Sequence, residues 1–352
     1  MAGLDASKRE PHEFVDAVLA QAVAAGASDV YWLPERENVA VRVKVAGVEQ
    51  ALATVPRAYG EQCVARLKVL AGLLTYRSAI AQDGAIRGVN GHADTELRVA
   101  TMPTTCGERV TIRVLSRRHG LLRLDELGFA SGVVQVLRDL LVRPTGMLVL
   151  TGPTGSGKTT TIYALIRELL DRGADPASII TIEDPVECEV PAVSQVQVTR
   201  AGEGWGYDEA LRAALRQDVK TLVIGEMRDA GVVRVALDAA LTGHRIVTTY
   251  HAGDIPGVYA RLLHQGFEPF LVAGAVSGVL AQRLVPAAAG TGQVPVAAVL
   301  RVDDAWRDVV IATPGLDQLR RDIRRVPGAD LEAAAHDLAA AGRIREKDAL
   351  VL

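Results

Sequence analysis

Apolar positions recur along this chain with two periods, and the period changes from segment to segment. Phe14, Val15, Val18, Leu19 and Val23 return every three to four residues. That spacing predicts an amphipathic helix over 13–25, closed by Gly26. Residues 39–45 read VAVRVKV, with valine at every second position and Arg42 and Lys44 between them. Strict alternation predicts a half-exposed strand. Helical spacing returns over 60–74. LRVAT (97–101) and RVTIRVL (109–115) read as two further strands, joined by a turn through Pro103 and Gly107. The polar residues 1–12 predict a disordered start, 13–116 a small α+β domain, and 117–130, with Arg117, Arg118, Gly120 and Gly128, a linker.

Beyond residue 130 strands alternate with helices. The pattern predicts strands at 147–150, 179–182, 221–224 and 246–249, and helices at 158–171, 207–216, 232–241 and across 317–349. Short apolar strands separated by helices imply a mostly parallel sheet covered on both faces. The fold expected for 131–352 is therefore α/β.

Composition narrows the function classes. The chain has 352 residues and a formal net charge of −3. At ~150 residues per domain this is room for two domains. No basic excess exists to neutralise a phosphodiester backbone, so nucleic acid is not an expected partner. Cys63, Cys106 and Cys188 are scattered and form no C-x-x-C pair, which argues against a disulfide framework or a zinc site. The opening residues carry no apolar run, and the uncharged stretch from Leu284 to Leu300 is interrupted. Neither a secretory signal nor direct membrane insertion is expected.

Chemistry concentrates at residues 152–159, GPTGSGKT. Gly152, Gly157, Lys158 and Thr159 satisfy G-x-x-x-x-G-K-[ST], a phosphate-binding loop. Glycines let successive backbone N–H groups wrap a phosphate, and the following helix points its positive end at the same anion. The expected nucleotide-binding residues are Gly152, Pro153, Thr154, Gly155, Ser156, Gly157, Lys158, Thr159 and Thr160. Lys158 is expected on the β- and γ-oxygens and Thr159 on Mg²⁺. Hydrolysis also needs a group to orient water, placed at a neighbouring strand's end. Glu183 and Asp184 follow the strand IITI, and Glu226 follows TLVI. His244 and His251 bracket the last predicted strand and are candidate γ-phosphate sensors. Arg98 and Arg113 lie on first-domain strands, where the plain reading is a solvated face.

Four blocks in order resemble the ATPases of type II secretion and type IV pili: GPTGSGKT, ITIEDPVE (180–187), LRQD with LVIGEMRD (215–229), and LTGHRIVTTYHAGD (241–254). In that family these are the Walker A, Asp, Walker B and His boxes. GASDVYWLP, RLKVLAGL, QDGAI and LRVATMPTTCGERVTIRVL resemble its N-terminal domain in the same order. The resemblance implies a RecA-like P-loop ATPase domain preceded by a PAS-like α+β domain. It implies that Glu226 polarises water, that Glu183 lies near Mg²⁺ through a water, and that His244 and His251 complete the site. It also turns Arg98 and Arg113 into arginines that reach the γ-phosphate when two domains close. It further implies a homo-hexameric, cytoplasmic motor that hydrolyses ATP, docked on an inner-membrane platform protein of a pilus or secretion system.

The chain departs from the family pattern at several points. QRLV is followed by PAAAG without cysteine, so no zinc is expected. Asp218-Val219-Lys220 stands before the Walker B strand where the family has Asp-Pro-Asp. Tyr31-Trp32 replaces His-Ile, and Tyr250 and Ala252 flank the box histidine. A non-hydrolysing paralogue and a P-loop phosphotransferase are the alternatives to a motor.

Overall fold

The alternating valines of the first half form one strand of a six-stranded antiparallel sheet. In the computed structural model, residues 9–45, 47–89, 92–116, 121–198, 206–289, 292–312 and 315–350 are described. They divide between two compact units, Met1–Gly120 and Leu121–Leu352. Parts of the expected disordered start (1–8) and linker (117–120) lie outside the described residues.

The first unit runs α1 (Pro11–Ala24), β1 (Ala27–Pro34), β2 (Asn38–Val45), β3 (Val48–Pro56), α2 (Arg57–Leu70), β4 (Gln82–Val89), β5 (His92–Thr104) and β6 (Gly107–Ser116). Its strand order is β3-β2-β1-β6-β5-β4. Alternation sends Val30, Trp32, Val41, Val43, Leu97, Val99, Val110 and Ile112 into one core with Phe14, Val18 and Leu67 of the helices. Strands β1, β3 and β4 escape a periodicity reading. Their sequences mix alanine, glycine and polar residues, and they become strands by pairing with better-patterned neighbours.

The second unit contains α3 (Ser131–Val142), β7 (Gly146–Thr151), α4 (Lys158–Asp171), β8 (Ile179–Glu183), β9 (Ser194–Gln197) and α5 (Tyr207–Ala214). It continues with β10 (Thr221–Ile224), α6 (Ala230–Leu241), β11 (Arg245–Tyr250), α7 (Ile255–His264), α8 (Pro269–Ala275), β12 (Val276–Pro286) and β13 (Gln293–Arg301). Four helices close it: α9 (Asp304–Ile311), α10 (Leu316–Ile323), α11 (Leu331–Ala340) and α12 (Glu346–Ala349). The sheet order is β13-β12-β7-β11-β10-β8-β9, parallel throughout except for the antiparallel β12–β13 pair. Leu148, Leu150 and Val223 pack on one face with α3 and α4. Met147, Val149, Leu222 and Ile224 pack on the other with α5, α6 and α8. The fold is α/β with a mostly parallel sheet.

Two expectations change here. The helical reading of 317–349 resolves into three short helices, because Pro327-Gly328 and Gly342 interrupt it, both glycines in the left-handed region. Strands β12 and β13 carried no period-two signal, since most of their residues are buried on both faces. Among the described residues no helix is long and apolar enough to cross a membrane.

One polar pair sits inside the first unit. Lys68 of α2 has a 1% exposed side chain and places Nζ 2.7 Å from Glu108, which is 12% exposed. The ammonium also donates to the Arg77 carbonyl at 3.0 Å. Glu108→Ala would strand this charge in the core. The expected loss is about 3–5 kcal/mol of unfolding free energy, measurable by urea denaturation.

Candidate functional site

β7 ends at Thr151 and α4 begins at Lys158, so residues 152–157 turn between them. Gly152 (φ +147°) and Gly157 (φ +88°) hold backbone angles that side chains resist. A Cβ on Gly152 would also lie 2.2 Å from the Gln282 carbonyl oxygen. Above the loop Pro153, Thr154, Gly155 and Thr160 are exposed, while Thr159 is half-buried in the first turn of α4. Lys158 Nζ donates to the carbonyls of Gly152 (2.8 Å) and Pro153 (2.9 Å). Burial lowers the lysine's pKa, and the carboxylate of Glu226 works against that shift. The charge of Glu226 is therefore felt at the phosphate-loop lysine.

Gln282 of β12 braces the loop from beneath. Its Nε2 donates to the Ser156 carbonyl (2.7 Å), and its Oε1 accepts from Thr161 Oγ1 (3.0 Å). The Ser156 hydroxyl is buried and has no hydrogen-bond partner. Thr151 Oγ1 bonds the Ala252 carbonyl (2.7 Å) and accepts from Ala252 N–H (3.1 Å), tying the residues after β11 to the loop's own strand.

The carboxylates come from adjacent parallel strands. Glu226 follows β10 and is held on both oxygens: Oε1 lies 2.7 Å from His251 Nε2, and Oε2 accepts from Arg228 Nε at 2.9 Å. Arg228 Nη1 also donates to Asp184 at 3.1 Å. One guanidinium thus bridges the ends of β8 and β10, near the Tyr207 ring.

Glu183 is differently placed. It is 7% exposed, and its carboxylate turns inward. Oε2 accepts from Tyr163 Oη (2.5 Å), and Oε1 accepts from Thr181 Oγ1 (2.6 Å) and Gln195 Nε2 (3.1 Å). No group of three or more His, Cys, Asp or Glu among the described residues is arranged to cage a metal. A hydroxyl such as that of Thr159, completed by phosphate oxygens and waters, suits Mg²⁺, which keeps several waters.

The two box histidines part company. His251 follows β11 at the loop end of the sheet, against Glu226. His244 precedes β11 at the opposite end, its Nδ1 3.2 Å from the Ala239 carbonyl oxygen. Six residues of strand separate them by roughly 20 Å, so His244 is not in the same cluster. In the first unit, Arg98 and Arg113 sit directly opposite one another on β5 and β6. Neighbouring positions 97, 99, 110 and 112 point into the core, so both arginines occupy the other face. Arg113 is 62% exposed and pairs with Asp29 at 3.2 Å.

Arg228, Tyr163 and Gln282 are the site residues that sequence reasoning passed over. Arg228 stood in the quoted Walker B block, two residues beyond Glu226. Tyr163 and Gln282 carry no local signal, because their partners lie 20 and 126 residues away.

A family model described as type II/IV secretion system protein matches residues 5–325. The type II secretion system protein HxcR of Pseudomonas aeruginosa is 41% identical over 271 residues, 77% of this chain and 57% of that protein. The type IV pilus assembly ATPase PilB of Thermus thermophilus is 35% identical over 282 residues, 80% of this chain and 31% of that one. The chain therefore spans between about a third and just over half of these relatives' lengths. Among solved structures, the ATPase DotB of Legionella pneumophila has a similar fold, with a TM-score of 0.81 at 21% identity over 100% of this chain and 98% of that chain. The pilus retraction motor PilT with bound ADP gives 0.72 at 25% identity, over 96% of each chain.

Gln282→Leu keeps the bulk of the brace and removes its hydrogen bonds. Two buried partners beneath the loop lose their contacts, at about 1–3 kcal/mol each. The dissociation constant for ADP, read by calorimetry, is expected to rise at least ~10-fold, with the far-ultraviolet spectrum unchanged.

Proposed function

The chain belongs to the type II/IV secretion system protein family, and we propose that it is a motor ATPase hydrolysing ATP to drive pilus or pseudopilus assembly or retraction, or protein secretion. The observation that carries this reading is the position of Glu226. It follows β10 at the same end of the sheet as the phosphate loop, is gripped by His251 and Arg228, and its charge is felt at Lys158. A carboxylate fixed at that end of the sheet is where a water-orienting group belongs.

In this reading the nucleotide phosphates displace the Gly152 and Pro153 carbonyls as partners of Lys158. Backbone N–H groups of 154–159 wrap the β-phosphate, and the N-terminus of α4 adds its dipole. Mg²⁺, bound with the nucleotide, neutralises phosphate charge. Thr159 would offer it a hydroxyl; Glu183, expected near the metal through a water, instead turns inward onto Tyr163, Thr181 and Gln195 and supports the site from behind. Glu226 orients the attacking water, and His251 steadies one carboxylate oxygen. His244, at the far end of β11, serves the site only through the strand.

Arg98 and Arg113 are proposed to act on the γ-phosphate from the first unit. The two arginines lie directly opposite on paired strands, and Asp29 is the carboxylate partner of Arg113. A polyanion placed against both would turn their mutual repulsion into shared attraction. The chain works as a homo-hexamer in the cytoplasm, at the inner membrane through a platform protein. That assembly is what the resemblance of the four sequence blocks implies.

Among the described residues, four that depart from the family pattern, Val219, Lys220, Tyr250 and Trp32, make no side-chain hydrogen bond with this cluster. Val219 is buried in the core and Lys220 bonds at the start of β10, the end of the strand away from Glu226. Tyr250 packs inward with its hydroxyl on Gln265, and Trp32 is a core residue. These placements favour a hydrolysing enzyme over a silent paralogue.

Glu226→Gln is expected to lower kcat by roughly 10²–10⁴-fold while ATP still binds. Turnover at the wild-type rate would remove Glu226 from the mechanism. Arg98→Ala and Arg113→Ala should each cost kcat by up to about 10³-fold without loss of ADP affinity. Sedimentation of the ATP-bound chain as a monomer, with full activity, would remove the ring.

A further inference from the structure

Tyr163 lies on α4, five residues after Lys158, on the face turned to the sheet. Its ring is buried, which a phenylalanine would accomplish as well. The hydroxyl is what needs explaining. It donates to Glu183 Oε2 at 2.5 Å and accepts from the backbone N–H groups of Glu187 (3.2 Å) and Cys188 (3.0 Å). A phenol has one proton and two acceptor directions, so all three are used. Burial and the Glu183 carboxylate push its pKa well up, so the group stays a proton donor.

The partners of this hydroxyl are themselves interlinked. Glu183 receives Thr181 and Gln195 on its other oxygen. Gln195 also donates to the Cys188 carbonyl (2.9 Å) and accepts from Val190 N–H (2.7 Å). The segment between β8 and β9 has no helix or strand of its own, and these bonds fix it to the sheet. Asp184, which meets Arg228 and through it Glu226, leaves the sheet directly from Glu183. One oxygen atom on the phosphate-loop helix therefore sets where this turn begins.

We propose that Tyr163 is a positioning residue: acting through Glu183, it links the phosphate-loop helix to the turn 184–188 and holds Asp184 in register with Glu226. The link rests on the reading of this site as an ATP hydrolysis centre. A helix is stiff over five residues, so a displacement of its first turn by bound phosphates reaches the hydroxyl with little loss. Packing alone needs no oxygen here, and an unpartnered phenol would be a cost. Outer partners that orient a working group typically change activity by 10–100-fold when removed.

Tyr163→Phe keeps the ring and deletes the oxygen. It is compared with the wild-type chain, with Glu183→Gln and with the double variant. Tyr163→Phe is expected to lower kcat for ATP by about 10–100-fold with KM within about twofold. The double variant should be no slower than Glu183→Gln alone, because both changes cut one chain of contacts. Amide exchange at Glu187 and Cys188 should speed up in Tyr163→Phe. ADP is expected to alter exchange there in the wild type and to leave it unchanged in the variant. Wild-type kcat, losses that multiply in the double variant, or an ADP response that survives in Tyr163→Phe would each overturn the proposal. If Tyr163→Phe does not fold, Thr181→Val tests the same carboxylate from its other oxygen, with the same split between kcat and KM expected and an unchanged kcat overturning it. A wild-type chain without ATP turnover would count against the hydrolysis reading alone, since the exchange measurement with ADP still decides whether Tyr163 couples the two segments.

Discussion

In the second unit the parallel strands β7, β11, β10 and β8 lie side by side and end at one edge of the sheet, and that shared edge carries the chemistry of the unit. Each of these four strands is followed by a crossover, so each strand end opens into a connection free to carry a functional residue. The phosphate loop follows β7, His251 follows β11, Glu226 follows β10, and Asp184 follows β8. Neighbouring strands lie about 4.8 Å apart, which brings groups separated by tens of residues within hydrogen-bond reach. His244 shows the converse. One strand length removes it from the cluster although it belongs to the same sequence block.

The site is balanced by its own charges. Lys158 folds onto two loop carbonyls, Arg228 spans Asp184 and Glu226, and His251 takes the remaining Glu226 oxygen. Each of these contacts occupies a group that a nucleotide with its metal would use. In the proposed reading, nucleotide binding exchanges these internal partners for phosphate oxygens, the kind of exchange by which ligand binding can move a structure. Gln282 and Thr151 connect the same loop to β12 and to the residues after β11, so the loop moves with its neighbours or not at all.

The first unit has a simpler logic. Its helices cover one face of the sheet and leave the other for polar residues, among them the facing arginines 98 and 113. The buried Lys68–Glu108 pair holds the Arg77 carbonyl, and Gln82 takes the same carbonyl together with both backbone groups of Leu74. A charged pair in a core is a weak source of stability. Its use here is to fix the long connection between α2 and β4 in one conformation.

Much of this was written locally. Valines at alternate positions specified β2, and the apolar stripe specified α1, since period alone selects strand or helix and the buried face. GPTGSGKT specified the loop and the start of α4, because only glycines permit those backbone angles. Glu226 was legible from its place after a short apolar strand. What the residues could not state was partnership. Strands β12 and β13, buried on both faces, carry no period, and β1, β3 and β4 are strands because their neighbours are. Glu183 and Asp184 are adjacent acids with equal claims in sequence, yet the fold turns one into the core against Tyr163 and the other toward Arg228. Strand order decided which ends meet, and a side chain's direction at the end of its strand decided what it touches; neither quantity is local, so only the tertiary structure carries them.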